Sequence, residues 1–487
     1  MIPCLAELPP EIYSAILIQV PTEERQQVVL ALSRAIPRSP VPLHHLFECI
    51  CLRTAESVFH LYRRVCGCAE EVRWVKSFSL ETWTVDADIV VNLLAILPHL
   101  SKITLFIGSN FAPEHLEEIL TRPREDLRHL SLRFRPYVQK ATYYQFLKGA
   151  YFDTSLHALS RWPAYNLHAL SIVQDPLDPE IARMQHFAQP LVFFRLNSIT
   201  TLICSPTFRT LPSLRLQIPS RQVAPFIFNS PGAAPALSML DLSTCSIRPS
   251  DVETLVARFR NLRHLILDDC TIVRGESHEG EWIALGKMCA LATVKAAKDR
   301  EKKLKDWLET NAARIQARNE GTHQQTLSEP HGRRIRPGRR GLATATISLR
   351  ESPPTETAPT VRRNTNVPRI RVVPASPTIC SLSTTFNTHL RDERTVQAEF
   401  SQGWAEGLAQ LNAVRKRMYQ SWKNGVRVMH IMGGLDTEDG FMGLEDVGET
   451  AFVNVGGEHS FWPTPVLCLA GSNPGALHVD GCGHPDF

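Results

Sequence analysis

Cysteine and histidine side chains have the donor chemistry to hold a transition metal, and this chain carries two groups of them. Cys49, Cys51, Cys66 and Cys68 lie close to His44, His45 and His60. Cys468, His478, Cys482 and His484 lie near the other end. Thiolate and imidazole are the ligands zinc takes, usually in paired spacings that let one turn present two of them. Neither group has the spacing of a usual zinc finger. Cys49 and Cys51 also sit within an apolar run, so packing is their expected role. The acidic stretch 436–449 offers carboxylates without the ligand spacing of a calcium loop. No phosphate-binding Gly-rich loop, H-E-x-x-H or G-x-S-x-G pattern occurs. Aromatic residues interleaved with basic ones for base stacking are absent too. The expectation is a protein that is not an enzyme and uses no cofactor and no metal.

Composition narrows the class further. A net charge of +4 on 487 residues is too mild to point to nucleic acid or a membrane surface. With 43% apolar and 21% charged residues, an ordinary packed core is affordable. Cys204, Cys270 and Cys289 lie in apolar runs, which suits buried free thiols and a reducing compartment. The start lacks a basic segment followed by an uninterrupted apolar one, so no signal peptide is expected. No stretch is long enough to span a membrane. Cytoplasm, nucleus or both are the expected location.

These residues need elements to position them. Residues 1–66 read as a small all-helical unit. Its first helix follows Pro9 and Pro10, which suit a first helical turn. It places Ile12, Ile16 and Leu17 on one face and stops at Pro21. From 72 to 275 one pattern returns, apolar-x-x-apolar-x-apolar. It reads VKSFSL at 75, LSKITL at 100, LRHLSL at 127, LHALSI at 167, LPSLRL at 211, LSMLDL at 237 and LRHLIL at 262. ITTLIC at 199 is a candidate eighth copy. Alternation makes each copy a short strand with its apolar residues inward. Helical stretches lie between copies, and such units must stack to bury their apolar faces.

The remainder divides three ways. Residues 280–318 read as a helix that caps the stack and extends into solvent. Residues 319–390 are rich in Pro, Ser, Thr and Arg, with a basic cluster at 332–341, and read as a disordered linker. Residues 395–425 step apolar side chains every three or four positions, an amphipathic helix that must dock on something. Residues 426–487 read as a mostly disordered tail. The fold class expected is α/β: an all-helical N-terminal unit, an irregular leucine-rich-repeat solenoid, a capping helix and a disordered tail.

The opening stretch LPPEIYSAILIQVP resembles the first half of an F-box, through Leu8, Pro9, Glu11, Ile12, Ile16, Leu17 and Pro21. Leu32, Ser33 and Arg34 match its later Leu-Ser-Arg portion, with Ala35 where a Trp commonly follows. With the repeats behind it, the chain resembles F-box–leucine-rich-repeat proteins, especially the large fungal group, over roughly residues 5–310. The resemblance implies a substrate receptor of an SCF-type cullin–RING ubiquitin ligase. Leu8, Pro9, Ile12, Ile16 and Leu17 would contact a Skp-type adaptor, which links to the cullin complex. The repeats would hold a protein target. The competing expectation is a plain repeat scaffold whose N-terminal helices only cap the repeats, with Ile12 and Ile16 in the core.

Overall fold

The computed structural model describes residues 8–135, 151–163, 166–176, 191–229, 234–270, 280–324, 370–385, 392–431, 444–448, 452 and 462–470. Its centre is one ten-stranded sheet, parallel throughout. The strands are β1 (Cys49–Leu52), β2 (Ser77–Leu80), β3 (Lys102–Ile107), β4 (His129–Phe134), β5 (Ala169–Gln174), β6 (Ser213–Gln217), β7 (Met239–Asp241), β8 (His264–Leu267), β10 (Ser381–Thr385) and β13 (Val466–Ala470). A second, three-stranded sheet places β11 (Arg427–Ile431) between β9 (Ile370–Val372), parallel to it, and β12 (Leu444–Asp446), antiparallel.

Each of the seven hexamers supplies one strand, β2 to β8, and its internal alternation fixes the register. Ile50, Phe78, Ile103, Leu130, Leu170, Leu214, Leu240, Leu265, Leu382 and Leu467 stand in one cross-strand row and are all buried. A slip of one residue would turn this row to the other face, so the pattern specifies the pairing strongly. The leading Leu of each hexamer from 100 onward, such as Leu127 and Leu262, is buried where the chain enters its strand.

Parallel neighbours need crossovers, and helices provide them. In chain order they are α1 (Pro10–Gln19), α2 (Thr22–Ala35), α3 (His44–Glu48), α4 (Ala55–Gly67), α5 (Ala69–Val72), α6 (Ala87–Ile96), α7 (Pro113–Thr121), α8 (Asp153–Ser160), α9 (Asn197–Ile203), α10 (Ala224–Phe228), α11 (Pro249–Arg258), α12 (Glu281–Gln324) and α13 (Glu393–Lys423). Local signals start several of them. The Thr54 hydroxyl accepts from Ser57 N–H ahead of α4, and the Asp86 carboxylate accepts from Asp88 N–H ahead of α6. From α6 to α13 each helix packs against the next in chain order. The apolar row of the sheet and the inner sides of these helices form one continuous core, from Ile50 to Leu467.

The expected architecture is overturned in its divisions. The N-terminal unit is not all-helical: Ile50 and Leu52 alternate with Cys49 and Cys51 in β1, which pairs with β2 as the first strand of the sheet. Four residues are too few to separate strand from helix by periodicity, and the β2 backbone decides the matter. The helix expected to cap the stack does not lie next to β8 as an end-piece either. The strand next to β8 is β10, from the stretch read as a disordered linker, and beyond it lies β13, from the stretch read as a disordered tail. The molecule is therefore an α/β chain built on one parallel sheet, not an N-terminal helical unit followed by a solenoid. ITTLIC is not a strand, because it forms α9. Helix α12 packs beside α11 in the helical row, and α13 docks on α12.

Side-chain hydroxyls stitch β10 to β8 where leucines are missing. His264 Nδ1 lies 2.8 Å from Ser381 Oγ, Ser383 Oγ donates to Asp268 at 2.7 Å, and Thr378 Oγ1 donates to the Leu262 carbonyl at 3.0 Å. The extended copies L-x-x-L-x-L-x-x-C place their thiols between units. Cys245 Sγ donates to the Leu216 carbonyl at 3.3 Å, and Cys270 Sγ donates to the Leu242 carbonyl at 3.2 Å. Burial pushes the Cys245 and Cys289 thiols up to about 12, so both stay protonated and inert at neutral pH. Cys204 departs from expectation: it ends α9 and is exposed.

Candidate protein-binding surfaces

Helix α1 begins after extended Pro9, with Pro10 in its first turn and Glu11 beside it. One side of the helix is complete. Tyr13 and Leu17 are buried with Val29 and Val41, and Leu8, Val28, Leu32 and Leu46 pack around them. This small core is separate from the main one. It is tied to the sheet by polar contacts. Gln26 Nε2 donates to the Leu46 carbonyl at 2.9 Å, Arg25 pairs with Glu48 at 3.8 Å, and Glu48 pairs with Lys76 at 2.8 Å.

Beyond Pro10, the open positions of α1 are Glu11, Ile12, Ala15, Ile16, Ile18 and Gln19, with Ile12 and Ile16 one turn apart. Ile12 and Ile16 are each 45% exposed, and Ile18 is 61% exposed. Leu30 on α2, Leu43 before α3 and Phe59 on α4 are exposed as well. Among the described residues, these six belong to a set of nine exposed large apolar side chains; the other three are Phe194, Trp307 and Val466. Single apolar residues left in water are ordinary, and six of the nine fall within residues 12–59, which makes this part of the chain the candidate contact region.

The five residues expected to contact an adaptor thus separate. Ile12 and Ile16 face outward, Pro9 is exposed, Leu8 is half-buried and Leu17 is fully buried. Helical spacing put Ile12, Ile16 and Leu17 on one face, but only Leu17 shares the buried side, with Tyr13. The outward Ile18, Leu30, Leu43 and Phe59 escaped sequence reasoning, because exposure depends on which side the partner helices cover.

A second candidate surface is the β2–β4 part of the sheet face opposite the apolar row; from β5 onward much of that face is covered, with Ser171, Asp241, Ile266 and Ser383 buried. The central row of the whole face reads Ser79, Thr104, Ser131, Ser171, Arg215, Asp241, Ile266 and Ser383 in register. At the carboxyl ends of β2–β4, Trp83 stacks on Phe106 with ring centroids 4.6 Å apart. Arg135 lies 4.1 Å over the Trp83 ring, and Arg133 lies 5.2 Å over Phe106. Arg133 Nε also pairs with Asp175 at 2.6 Å. At the amino ends of β3–β5, His129 stacks on His168 with centroids 6.2 Å apart, and Lys102 stands in register with His129. Further along, buried Asp241 accepts from Arg215 at 2.8 Å, Gln217 at 2.9 Å and Ser243 Oγ at 2.6 Å. That carboxylate is spent on internal bonds.

The metal-ligand candidates are not brought together. Among the described residues no group of three or more His, Cys, Asp or Glu side chains is placed to hold a metal ion. Cys49 and Cys51 point away from the apolar row, and Cys51, Cys66 and Cys68 are exposed thiols. Cys468 lies buried in β13, while His478, Cys482 and His484 lie outside the described residues, as does the basic cluster 332–341. Among the described residues no helix is long and apolar enough to cross a membrane. The chain matches no family model, and no curated protein is significantly similar to it.

Proposed function

We propose that the chain is a non-catalytic substrate receptor, with α1 docking a Skp-type adaptor of a cullin–RING ubiquitin ligase and the polar sheet face holding a protein target. The observation that carries this reading is the outward position of Ile12 and Ile16 on a helix whose inner side, Tyr13 and Leu17, already has its own core. A helix so built keeps an apolar stripe for a groove on another protein. The scaffold reading required Ile12 and Ile16 in the core, and their exposure gives it no support. In the proposed role the protein breaks no bond itself. It raises the effective concentration of a target beside a partner enzyme.

The experiment is a binding titration of the full chain with a purified Skp-type adaptor, for wild type and Ile12→Asp/Ile16→Asp. Circular dichroism confirms that both are folded. The expected result is a Kd at least about thirtyfold weaker in the variant, the scale of an interface hot spot of about 2 kcal/mol. No binding by folded wild type, or equal binding by the variant, overturns the proposal.

A further inference from the structure

The amino-terminal edge of β3–β5 sets two cations, Lys102 and Arg128, beside two imidazoles, with no ion-pair partner for either cation among the described residues. Lys102 is the first residue of β3, Arg128 precedes β4, His129 begins β4 and His168 precedes β5. Register places Lys102 beside His129, and His129 beside Ala169, the neighbour of His168. Lys102, Arg128 and His168 are exposed and His129 is half-buried. The side chains of Lys102 and Arg128 make no ion pair or hydrogen bond among the described residues. Carboxylates at the same edge are engaged elsewhere, Glu48 with Lys76 and Asp126 with His99. Burial, and then Lys102, His168 and Arg128, hold the His129 pKa below its ordinary value, so the standing positive charges of this edge are Lys102 and Arg128, with the imidazoles beside them as hydrogen-bonding groups.

We propose that this edge is a docking site for an acidic peptide segment, in which two or three closely spaced carboxylates lie across β3–β5 against Lys102, Arg128, His129 and His168. The inference rests on the reading that the sheet face holds a protein target, and it names the chemistry of the part recognised. Three adjacent strands span about 10 Å, at roughly 4.8 Å per spacing. An extended peptide covers that distance in about three residues. The row is bounded by uncharged residues, Ser77 on β2 and Ser213 and Met239 on β6 and β7, and the next imidazole, His264, lies three strands beyond β5. A nucleic-acid backbone would gain from a longer basic track than this, whereas a short acidic motif is matched in both charge and length.

The test uses the full chain and a fluorescein-labelled peptide with three consecutive Asp residues in a Gly-Ser context, titrated by anisotropy. The comparisons are the same peptide with Asn for Asp, a single-stranded oligoribonucleotide of similar length, and the variant Lys102→Glu/Arg128→Glu. The expected result is binding of the Asp peptide only, weakened at least about tenfold by the double charge reversal and by raising salt from about 50 to about 300 mM. No binding of the Asp peptide, equal binding of the Asn peptide, insensitivity to the charge reversal, or tighter binding of the oligoribonucleotide overturns the proposal. Wild type and variant are also titrated with the adaptor. Adaptor binding without peptide binding by wild type would sink this inference alone, whereas peptide binding without adaptor binding by wild type would sink only the docking role of α1.

Discussion

Tyr13 and Leu17 are one helical turn apart, and so are Ile12 and Ile16. The first pair is closed into a core with Val29 and Val41 while the second faces water. Substitution should separate the two roles. Leu17→Ala removes buried methyl groups from a small core and is expected to cost about 2–5 kcal/mol. Ile12→Asp and Ile16→Asp change only surface and should each stay within about 0.5 kcal/mol. Urea unfolding of the full chain, followed by far-ultraviolet dichroism, measures both. A large loss from Ile12→Asp would mean that Ile12 is a core residue, and the adaptor surface would lose its main support.

At the scale of elements, the most informative contact is the crossing of α12 and α13. A Cβ at Gly403 would run into the Ile283 carbonyl, and one at Gly286 would run into the Phe400 carbonyl. The two backbones approach so closely only because both positions lack a side chain. Around the crossing Trp282, Phe400 and Trp404 are buried, and Lys287 pairs with Glu406 at 3.6 Å. The amphipathic helix at 395–425 therefore docks within its own chain, as the first part of the connection from β10 to β13, which also passes through β11 and β12. Gly403→Val is expected to force the helices apart at a cost of about 1–3 kcal/mol and to make the α13–β13 segment sensitive to protease. The exposed neighbour Gln402→Ala is the control, within about 0.5 kcal/mol. Limited proteolysis with mass-spectrometric mapping reads the first effect and denaturant titration the second. An unchanged cleavage pattern in Gly403→Val would count against a tight crossing.

For the whole molecule, titration should couple to stability with one dominant sign. Burial lowers the pKa of His44, His129, His264 and His430 below the ordinary 6.5, and neighbouring cations such as His45, Lys102, Arg263 and Arg415 add to the effect. The unfolded chain then binds more protons than the folded one between these lowered values and 6.5. Stability must rise with pH through that window and level off above it. The carboxylates of Glu71 and Asp446, lowered by Arg64 and Arg427, extend the same trend to more acid pH. Asp153, raised by burial, opposes it. The urea midpoint is expected to climb from pH 5 to pH 7 and change little from pH 7 to pH 8. A midpoint that falls over the first interval would contradict this charge arrangement.

The sequence by itself determined the strands β2–β8 and the helices α6, α7 and α11 between them. Each hexamer carries its own alternation and its own entry Leu, so neighbouring copies can only stack with their apolar residues aligned. The apolar character of Ile12 and Ile16 was legible too. Three strands of the ten-stranded sheet, like all three of the smaller sheet, were decided by tertiary structure. β1 has four residues, β10 has Thr384 where its β8 neighbour has Leu267, and β13 lacks the entry leucine. Such segments do not bury enough apolar surface to define themselves. They become strands because a partner backbone offers its hydrogen bonds, in the case of β10 a partner more than a hundred residues away, with Ser383 bonded to Asp268. The direction of the α1 isoleucines was likewise settled by where α2 and the Val41 segment lie, since a helix with apolar residues on two sides has no means of choosing which one to bury.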